Sequence, residues 1–296
     1  MKFKAYQHIT TLDSPETEGI LDGVVHVFPK IDGANTSVYL NDYGDVEVAS
    51  RNRILTFNHD NAGALAYVLS NKKFKDYLNK YPNHRLFGEW LVPYTIRNYT
   101  DDAWRKLYIF DVIEEMPDGS EHYLSYDDYA FSLEEFDIDF IPRICSWINP
   151  TAEQIAELQN NCTFLMKEGL LGEGIVIKNY QFVNKFGRTT WAKIVRPIVK
   201  AAVKLYRPIS GAEVESAIVD SFVTPEFVEK EFAKISIEHD GFNKSLIPKF
   251  LGIAWYTFIN EEMFNILRKF KSPKIDFAVL HKLTIERIKQ IKSEVF

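Results

Sequence analysis

Phe28-Pro29-Lys30-Ile31-Asp32-Gly33-Ala34-Asn35 is the stretch on which the reading of this chain turns. Before it runs Val24-Val25-His26-Val27-Phe28, and after it Thr36-Ser37-Val38-Tyr39-Leu40. Both flanks are rich in β-branched and aromatic residues and read as strands. A lysine, an aspartate and a glycine therefore sit where one strand hands over to the next. Gly33 there allows unusual backbone angles and a close approach by a ligand. Taken alone, K-x-D-G is also an ordinary hairpin corner. The sharper reading is a nucleophilic amine. A free lysine has a pKa near ~10.4 and attacks at neutral pH only when burial or neighbouring cations depress that value.

Outward from this stretch, the first half is a succession of short strand-like runs. Val46–Ser50 follows a turn at Asn41-Asp42-Tyr43-Gly44 and completes a hairpin. Residues 62–81 read as one helix, stopped by Pro82. Arg85–Leu91 and Leu107–Ile113 are apolar strands, each carrying one acid, Glu89 and Asp111. Thr151-Ala152-Glu153-Gln154 has the pattern of a capping box, with a helix expected to run to about Lys167. Gly172–Lys178 is a strand opened by Glu173 and closed by Lys178, and Thr190–Arg196 carries Lys193.

After Pro197 strand signals stop and helical periodicity takes over. Helices are predicted over 198–206, 211–222, 225–235, 246–270 and 276–292, with Thr224-Pro225 as a helix start. The expected organisation is an α+β domain over 1–200 and an all-helical domain over 201–296.

Composition agrees with a globular protein: 296 residues, 46% hydrophobic and 26% charged. No apolar run reaches membrane-spanning length, and the first residues lack a signal-peptide core. Cys145 and Cys162 make neither a disulfide framework nor a zinc pattern and read as core thiols, pointing to an intracellular protein. The net charge of −6 argues against a globally basic nucleic-acid binder. Locally the balance reverses: from Lys178 to Arg207 there are eight Lys or Arg, including Arg188 and Arg196, and no Asp or Glu. Tyr180, Phe182, Phe186 and Trp191 interleave with them, a pattern suited to nucleic acid, although at least two of Phe182, Phe186 and Trp191 are expected in the core.

Lys30, Asp32, Asn35, Arg51, Glu89, Asp111, Glu173, Lys178, Lys193 and Arg196 are the unusual polar residues, most of them on or beside strands. Their order resembles that of the covalent nucleotidyltransferases, the polynucleotide ligases and mRNA capping enzymes. Lys30-Ile31-Asp32-Gly33 resembles motif I, Phe87-Gly88-Glu89 motif III, and Tyr108-Ile109-Phe110-Asp111 motif IIIa. Glu173–Lys178 resembles motif IV and Ala192–Arg196 motif V. Within that superfamily, Gly33-Ala34-Asn35, the Ala49-Ser50-Arg51-Asn52 run and the helical tail resemble the RNA ligase 2 family. Pro29–Gly33 is spelled more like the small viral DNA ligases. Two departures stand out. Phe28-Pro29 lies where many ligases carry a glutamate that reads adenine, and Lys193 stands alone where motif V commonly has two lysines.

The resemblance implies a nucleotidyltransferase (adenylation) domain of antiparallel sheets and helices, followed by a helical domain. It implies an ATP-dependent RNA ligase in RNA repair. Lys30 would take AMP from ATP, pass it to a 5′-phosphate, and a 3′-hydroxyl would then expel it. Lys178 and Lys193 would offset phosphate charge. Asp32 would orient Lys30 or the nucleotide, Gly33 would help bind the nucleotide, Glu89 would hold the ribose and Phe110 would stack on adenine. Glu173, with Asn35, would hold Mg2+ or Mn2+, directly or through water. Arg51 would contact the nucleotide phosphate or the RNA end, and Arg188 and Arg196 would contact RNA. The substrate would be RNA with 3′-hydroxyl and 5′-phosphate ends, in a nicked duplex or a broken stem-loop. A cytoplasmic monomer, of a kind that suits a bacteriophage acting in a bacterial host, is the expectation. A DNA ligase on the same core and a non-catalytic nucleotide- or RNA-binding relative are the alternatives.

Overall fold

A computed structural model describes residues 1–93, 96–196, 213–271 and 273–296. The chain divides into two compact units, Met1–Arg196 and Pro197–Phe296.

The first unit is built on two five-stranded sheets. One has the order β1 (Thr10–Thr11), β10 (Ala192–Val195), β9 (Gly174–Lys178), β2 (Val24–Lys30), β8 (Cys145–Ile148). The other has the order β4 (Val46–Ser50), β3 (Ala34–Leu40), β5 (His84–Trp90), β6 (Leu107–Glu115), β7 (Glu121–Tyr123). All pairings are antiparallel except β1 with β10. The decisive stretch is thus the passage from one sheet to the other: β2 ends at Lys30 and β3 begins at Ala34.

Alternation along β2 sorts its side chains. Val25 and Val27 are fully buried in a cluster with Ile155, Leu158, Cys162, Ile175 and Ile177. Phe28 points the other way, into a cluster with Ile31, Leu91, Tyr99 and Tyr108, and Lys30 shares its face. Pro29 lies beyond β8, whose first residue, Cys145, pairs with Val27, so its missing N–H leaves no bond to that neighbour unmade. Gly33 is required by packing rather than by an unusual backbone angle: a Cβ there would lie 2.5 Å from the Trp90 carbonyl oxygen.

Four helices accompany the sheets: α1 (Ala64–Ser70), α2 (Lys72–Lys80), α3 (Tyr126–Glu134) and α4 (Ala152–Glu157). The single helix expected over 62–81 is broken at Asn71, whose backbone is extended and whose side-chain amide donates to the Tyr67 carbonyl at 2.6 Å. An asparagine that competes for backbone groups in this way ends a helix. The capping box at Thr151 and Gln154 forms in full. Its helix is shorter than expected, ending at Glu157 and passing through a 3-10 turn, Leu158–Asn161. Leu165 then takes a left-handed φ of 62°, which no helix could continue through.

The second unit contains, among the described residues, α5 (Glu213–Phe222), α6 (Pro225–Glu238), α7 (Ile247–Lys269) and α8 (Phe277–Ile291). Thr224 caps α6 with Pro225 at its first position, and Asp276 caps α8. Ile218, Val228, Ile235, Phe250, Phe258, Leu280 and Ile288 form its core. The helix expected over 198–206 lies outside the described residues.

Candidate active site

The register of the first sheet fixes what stands beside Lys30. Lys30 pairs with Gly174, and Gly174 with Val195; Phe28 pairs with Val176, and Val176 with Lys193; His26 pairs with Lys178. Cross-strand partners share a face, so Lys30, Lys193 and Lys178 lie on one face at three successive levels. Gly174 permits this close pairing, since a Cβ there would lie 2.1 Å from the Ile194 carbonyl oxygen.

At the first level, which we call the mouth, Lys30 Nζ lies 2.5 Å from Glu173 Oε2. The lysine side chain is 22% exposed and the glutamate 8%, so the pair is half sheltered yet reachable. The Arg196 N–H donates to the Glu173 carbonyl at 2.9 Å, which brings the Arg196 backbone to the same place. From the second sheet comes Glu89, whose Oε1 accepts the Gly33 N–H at 2.9 Å. Asn35 pairs with Glu89 across β3 and β5. Burial pushes the Glu89 carboxyl up to about 7; the Lys30 ammonium pulls it down, and the Glu173 charge pushes it up further. Asp32 is 3% exposed, and its Oδ2 accepts the Ile96 N–H at 2.9 Å. Arg51 is exposed just beyond the end of β4.

At the third level, the floor, Lys178 is only 2% exposed. Its ammonium donates to Asp111 Oδ1 at 2.7 Å and to the Phe110 carbonyl at 2.5 Å. It lies 4.8 Å from the centre of the Phe28 ring. Burial lowers the Lys178 pKa against the opposing pull of Asp111. Asp111, fully buried, also accepts from Trp191 Nε1 at 3.1 Å and from the Tyr6 hydroxyl. The Phe110 carbonyl is available because the β5–β6 register slips there: Phe87 faces Asp111, and Gly88 faces Ile109. Such a bulge re-aims a side chain. Phe110 packs with Val176, Tyr6 and Trp191 between the sheets.

The structure thus brings Lys30, Asp32, Gly33, Asn35, Glu89, Glu173 and the Arg196 backbone to the mouth, with Lys193 one level in. The Lys178 ammonium, expected from the sequence to offset phosphate charge, is buried and engaged by Asp111 and the Phe110 carbonyl. Arg188 is exposed in the β9–β10 loop, which leaves from the floor end, away from Lys30. Of the interleaved aromatics, Trp191 is fully buried and Phe182 partly so, while Phe186 is 56% exposed. Sequence reasoning missed Tyr6 and Tyr99. Tyr6 sits in a segment read only for what it lacked, and the Tyr99 hydroxyl reaches Asp32 across sixty-seven positions.

For a divalent cation, Glu173 and Asn35 offer hard oxygen donors. Among the described residues no three His, Cys, Asp or Glu side chains gather as a ready-made cage. This donor set fits magnesium or manganese held largely by water and phosphate oxygens. No helix among the described residues is long and apolar enough to cross a membrane.

Two stacked sheets with a lysine at the end of an inner strand and carboxylates around it define the class, a nucleotidyltransferase fold of the polynucleotide ligase type. The chain belongs to the RNA ligase family, whose sequence model matches residues 23–195, more than half of its length. Among solved structures it is similar to a Naegleria gruberi RNA ligase with pyrophosphate (TM-score 0.51, 20% identity), over 65% of this chain and 56% of that one. A lysine-to-methionine mutant of the Naegleria enzyme with AMP and Mn matches at 0.50 and 20%, over 65% of this chain and 55% of the other. An archaeal ATP-dependent RNA ligase matches at 0.53 and 13%, over 98% of this chain and 66% of that one. The chain therefore spans a little over half the length of the Naegleria protein. No curated protein matches it.

Proposed function

We propose that this protein is an ATP-dependent RNA ligase that joins a 3′-hydroxyl to a 5′-phosphate through a lysyl-AMP intermediate on Lys30, in RNA repair. The observation that carries the reading is the Lys30–Glu173 pair at the end of β2, 2.5 Å between Nζ and Oε2, in a chain of the RNA ligase family. Lys30 Nζ, having lost a proton, forms a bond to the α-phosphorus as the bond to pyrophosphate breaks. The AMP then passes to the 5′-phosphate of RNA, breaking the N–P bond and returning the amine. Attack by the 3′-hydroxyl forms the phosphodiester and releases AMP. A divalent ion, held by Glu173 and Asn35 directly or through water, would supply charge stabilisation to the phosphates.

Placement supports the other roles we assign. Glu173 takes the ammonium's proton or holds it off the reacting pair. Lys193, on the same face one level in, offsets phosphate charge. Glu89 accepts ribose hydroxyls, and Phe110 stacks on the base above the floor. Asp32 orients the turn that carries Lys30. Lys178 is assigned to the floor, holding Asp111 and the Phe110 carbonyl. Arg51 and Arg196 face RNA at the mouth, and Arg188 sits in the loop beyond Lys178, at the floor end.

The test is covalent labelling. Protein incubated with α-phosphate-labelled ATP and magnesium, then denatured, is expected to carry label that Lys30→Ala loses. Protein free of pre-bound AMP by mass that still takes no label would overturn the reading. Nicked RNA and nicked DNA offered to the labelled enzyme then decide between an RNA and a DNA ligase, because only RNA presents the 2′-hydroxyl.

A further inference from the structure

We infer that Tyr99 is a positioning residue for Lys30, the centre of a loop over 96–100 that ties the lysine's turn to the segment delivering Glu173. The inference rests on the reading of Lys30 as nucleophile.

Lys30 and Glu173 lie far apart in sequence and meet at one point. Each side is anchored to the same five-residue loop. On the Lys30 side, the Asp32 N–H donates to the Tyr99 hydroxyl at 2.8 Å, and Asp32 Oδ2 accepts the Ile96 N–H at 2.9 Å. On the Glu173 side, the Thr100 N–H donates to the Leu165 carbonyl at 2.8 Å and the Lys167 N–H to the Asn98 carbonyl at 2.9 Å. Tyr99 itself bridges Met166 in antiparallel fashion. Leu165 holds a left-handed φ of 62°, a strained conformation for a bulky side chain, and its carbonyl is the one the loop engages. The Gly172 N–H, donating to the Cys162 carbonyl at 2.7 Å, closes the segment just before Glu173.

Packing alone does not require the hydroxyl. The Tyr99 ring is fully buried and sits edge-on to Trp104 at 5.2 Å, as a phenylalanine would. A phenylalanine would, however, leave the Asp32 N–H without this acceptor in a place where Asp32 is 3% exposed. Burial raises the Tyr99 pKa well above its ordinary value, so the hydroxyl stays neutral throughout the working range. The hydroxyl's partner is the turn two residues after the nucleophile, where a shift of a fraction of an ångström changes the line of attack on phosphorus.

The experiment compares wild type, Tyr99→Phe and Trp104→Phe, the last disturbing the ring's neighbour while sparing the hydroxyl. Two readouts are taken from each: the maximal rate and ATP KM of lysyl-AMP formation, and the rate at which acetic anhydride modifies Lys30 relative to other lysines, by mass spectrometry. Tyr99→Phe is expected to lower the maximal rate about tenfold with KM within about twofold. It is also expected to change Lys30 acetylation several-fold, while Trp104→Phe lowers the Tm and changes neither readout per folded molecule. Lys30 acetylation unchanged in Tyr99→Phe, or altered equally in Trp104→Phe, would overturn the inference. Wild type that takes no label but whose Lys30 acetylation responds to Tyr99→Phe would leave the positioning role standing and remove the ligase reading.

Discussion

The mouth and the floor of the cleft each hold a lysine against a carboxylate, and they use the pair in opposite ways. Lys30 and Glu173 are partly reachable; Lys178 and Asp111 are sealed, at 2% and 0% side-chain exposure. Both lysines lie on one face, and Lys178 is only four residues along β9 from Gly174, the partner of Lys30, about 13 Å at strand rise. The floor lysine has its ammonium directed at a carboxylate and a main-chain carbonyl beside aromatic rings, the arrangement that a buried charge needs in order to persist. The mouth lysine meets its carboxylate where a substrate can displace it. The same residue type in two motifs is therefore reachable in one place and sealed in the other.

The largest expected effects test this contrast directly. Lys30→Ala should reduce label transfer from ATP by on the order of 10³-fold or more, read on denatured protein. Lys178→Ala should act first on stability. Leaving the Asp111 carboxylate buried without its cation is expected to cost about 3–5 kcal/mol, a fall in Tm on the order of 10 °C by calorimetry. A Lys178→Ala protein as stable as wild type, with labelling lost as completely as in Lys30→Ala, would erase the distinction between mouth and floor.

Much of this was legible in the sequence, for a physical reason. β-Branched alternation and turn residues announce β2, β3, β4, β5, β6, β9 and β10, because each strand buries at least one face. The ordered acids and lysines then stand out against apolar runs. What could not be read is which polar residue a strand turns toward which partner. Lys178 looks like any strand-end lysine until β6 places Asp111 beneath it, and the bulge at Phe110 that exposes the carbonyl has no sequence mark. Asn71 shows the same limit in a helix: the apolar spacing runs through it unchanged, and only its side-chain bond to Tyr67 shows why the helix breaks. Tyr6 and Tyr99 carry no mark in the sequence because their hydroxyl partners come from distant segments.

A smaller effect sharpens the comparison through pH. Glu89 at the mouth has a folded pKa raised to about 7 by burial, above the usual glutamate value in an unfolded chain. Between those values the folded protein holds a proton that the unfolded chain has lost. Stability should therefore fall as pH rises from about 5 through 7. Glu89→Gln cannot lose that proton, so the variant should gain on the order of 1 kcal/mol over wild type between pH 5 and pH 8 in denaturant titrations. If Glu89 accepts ribose hydroxyls, wild-type ATP KM should rise as pH falls below 7 and that of the variant should not follow. Equal pH slopes for the two proteins would mean that the mouth is no more sensitive to pH than the floor.

The smallest effect separates two exposed arginines by where the strands leave them. Arg51 follows β4, whose Ser50 pairs with Thr36, next to Asn35 at the mouth. Arg188 lies in the loop between Lys178 and Ala192, at the floor end. A phosphate contact weakens binding evenly and lowers the salt slope by about one when removed. Sealing of a 5′-adenylated RNA bypasses the nucleotide steps and reports on RNA alone. Arg51→Ala should slow it about fivefold, with a shallower dependence on salt, while Arg188→Ala should change it by less than about twofold. An equal loss for Arg188→Ala would mean that RNA runs the length of the cleft from mouth to floor, and that the basic loop beyond Lys178 belongs to the substrate's path.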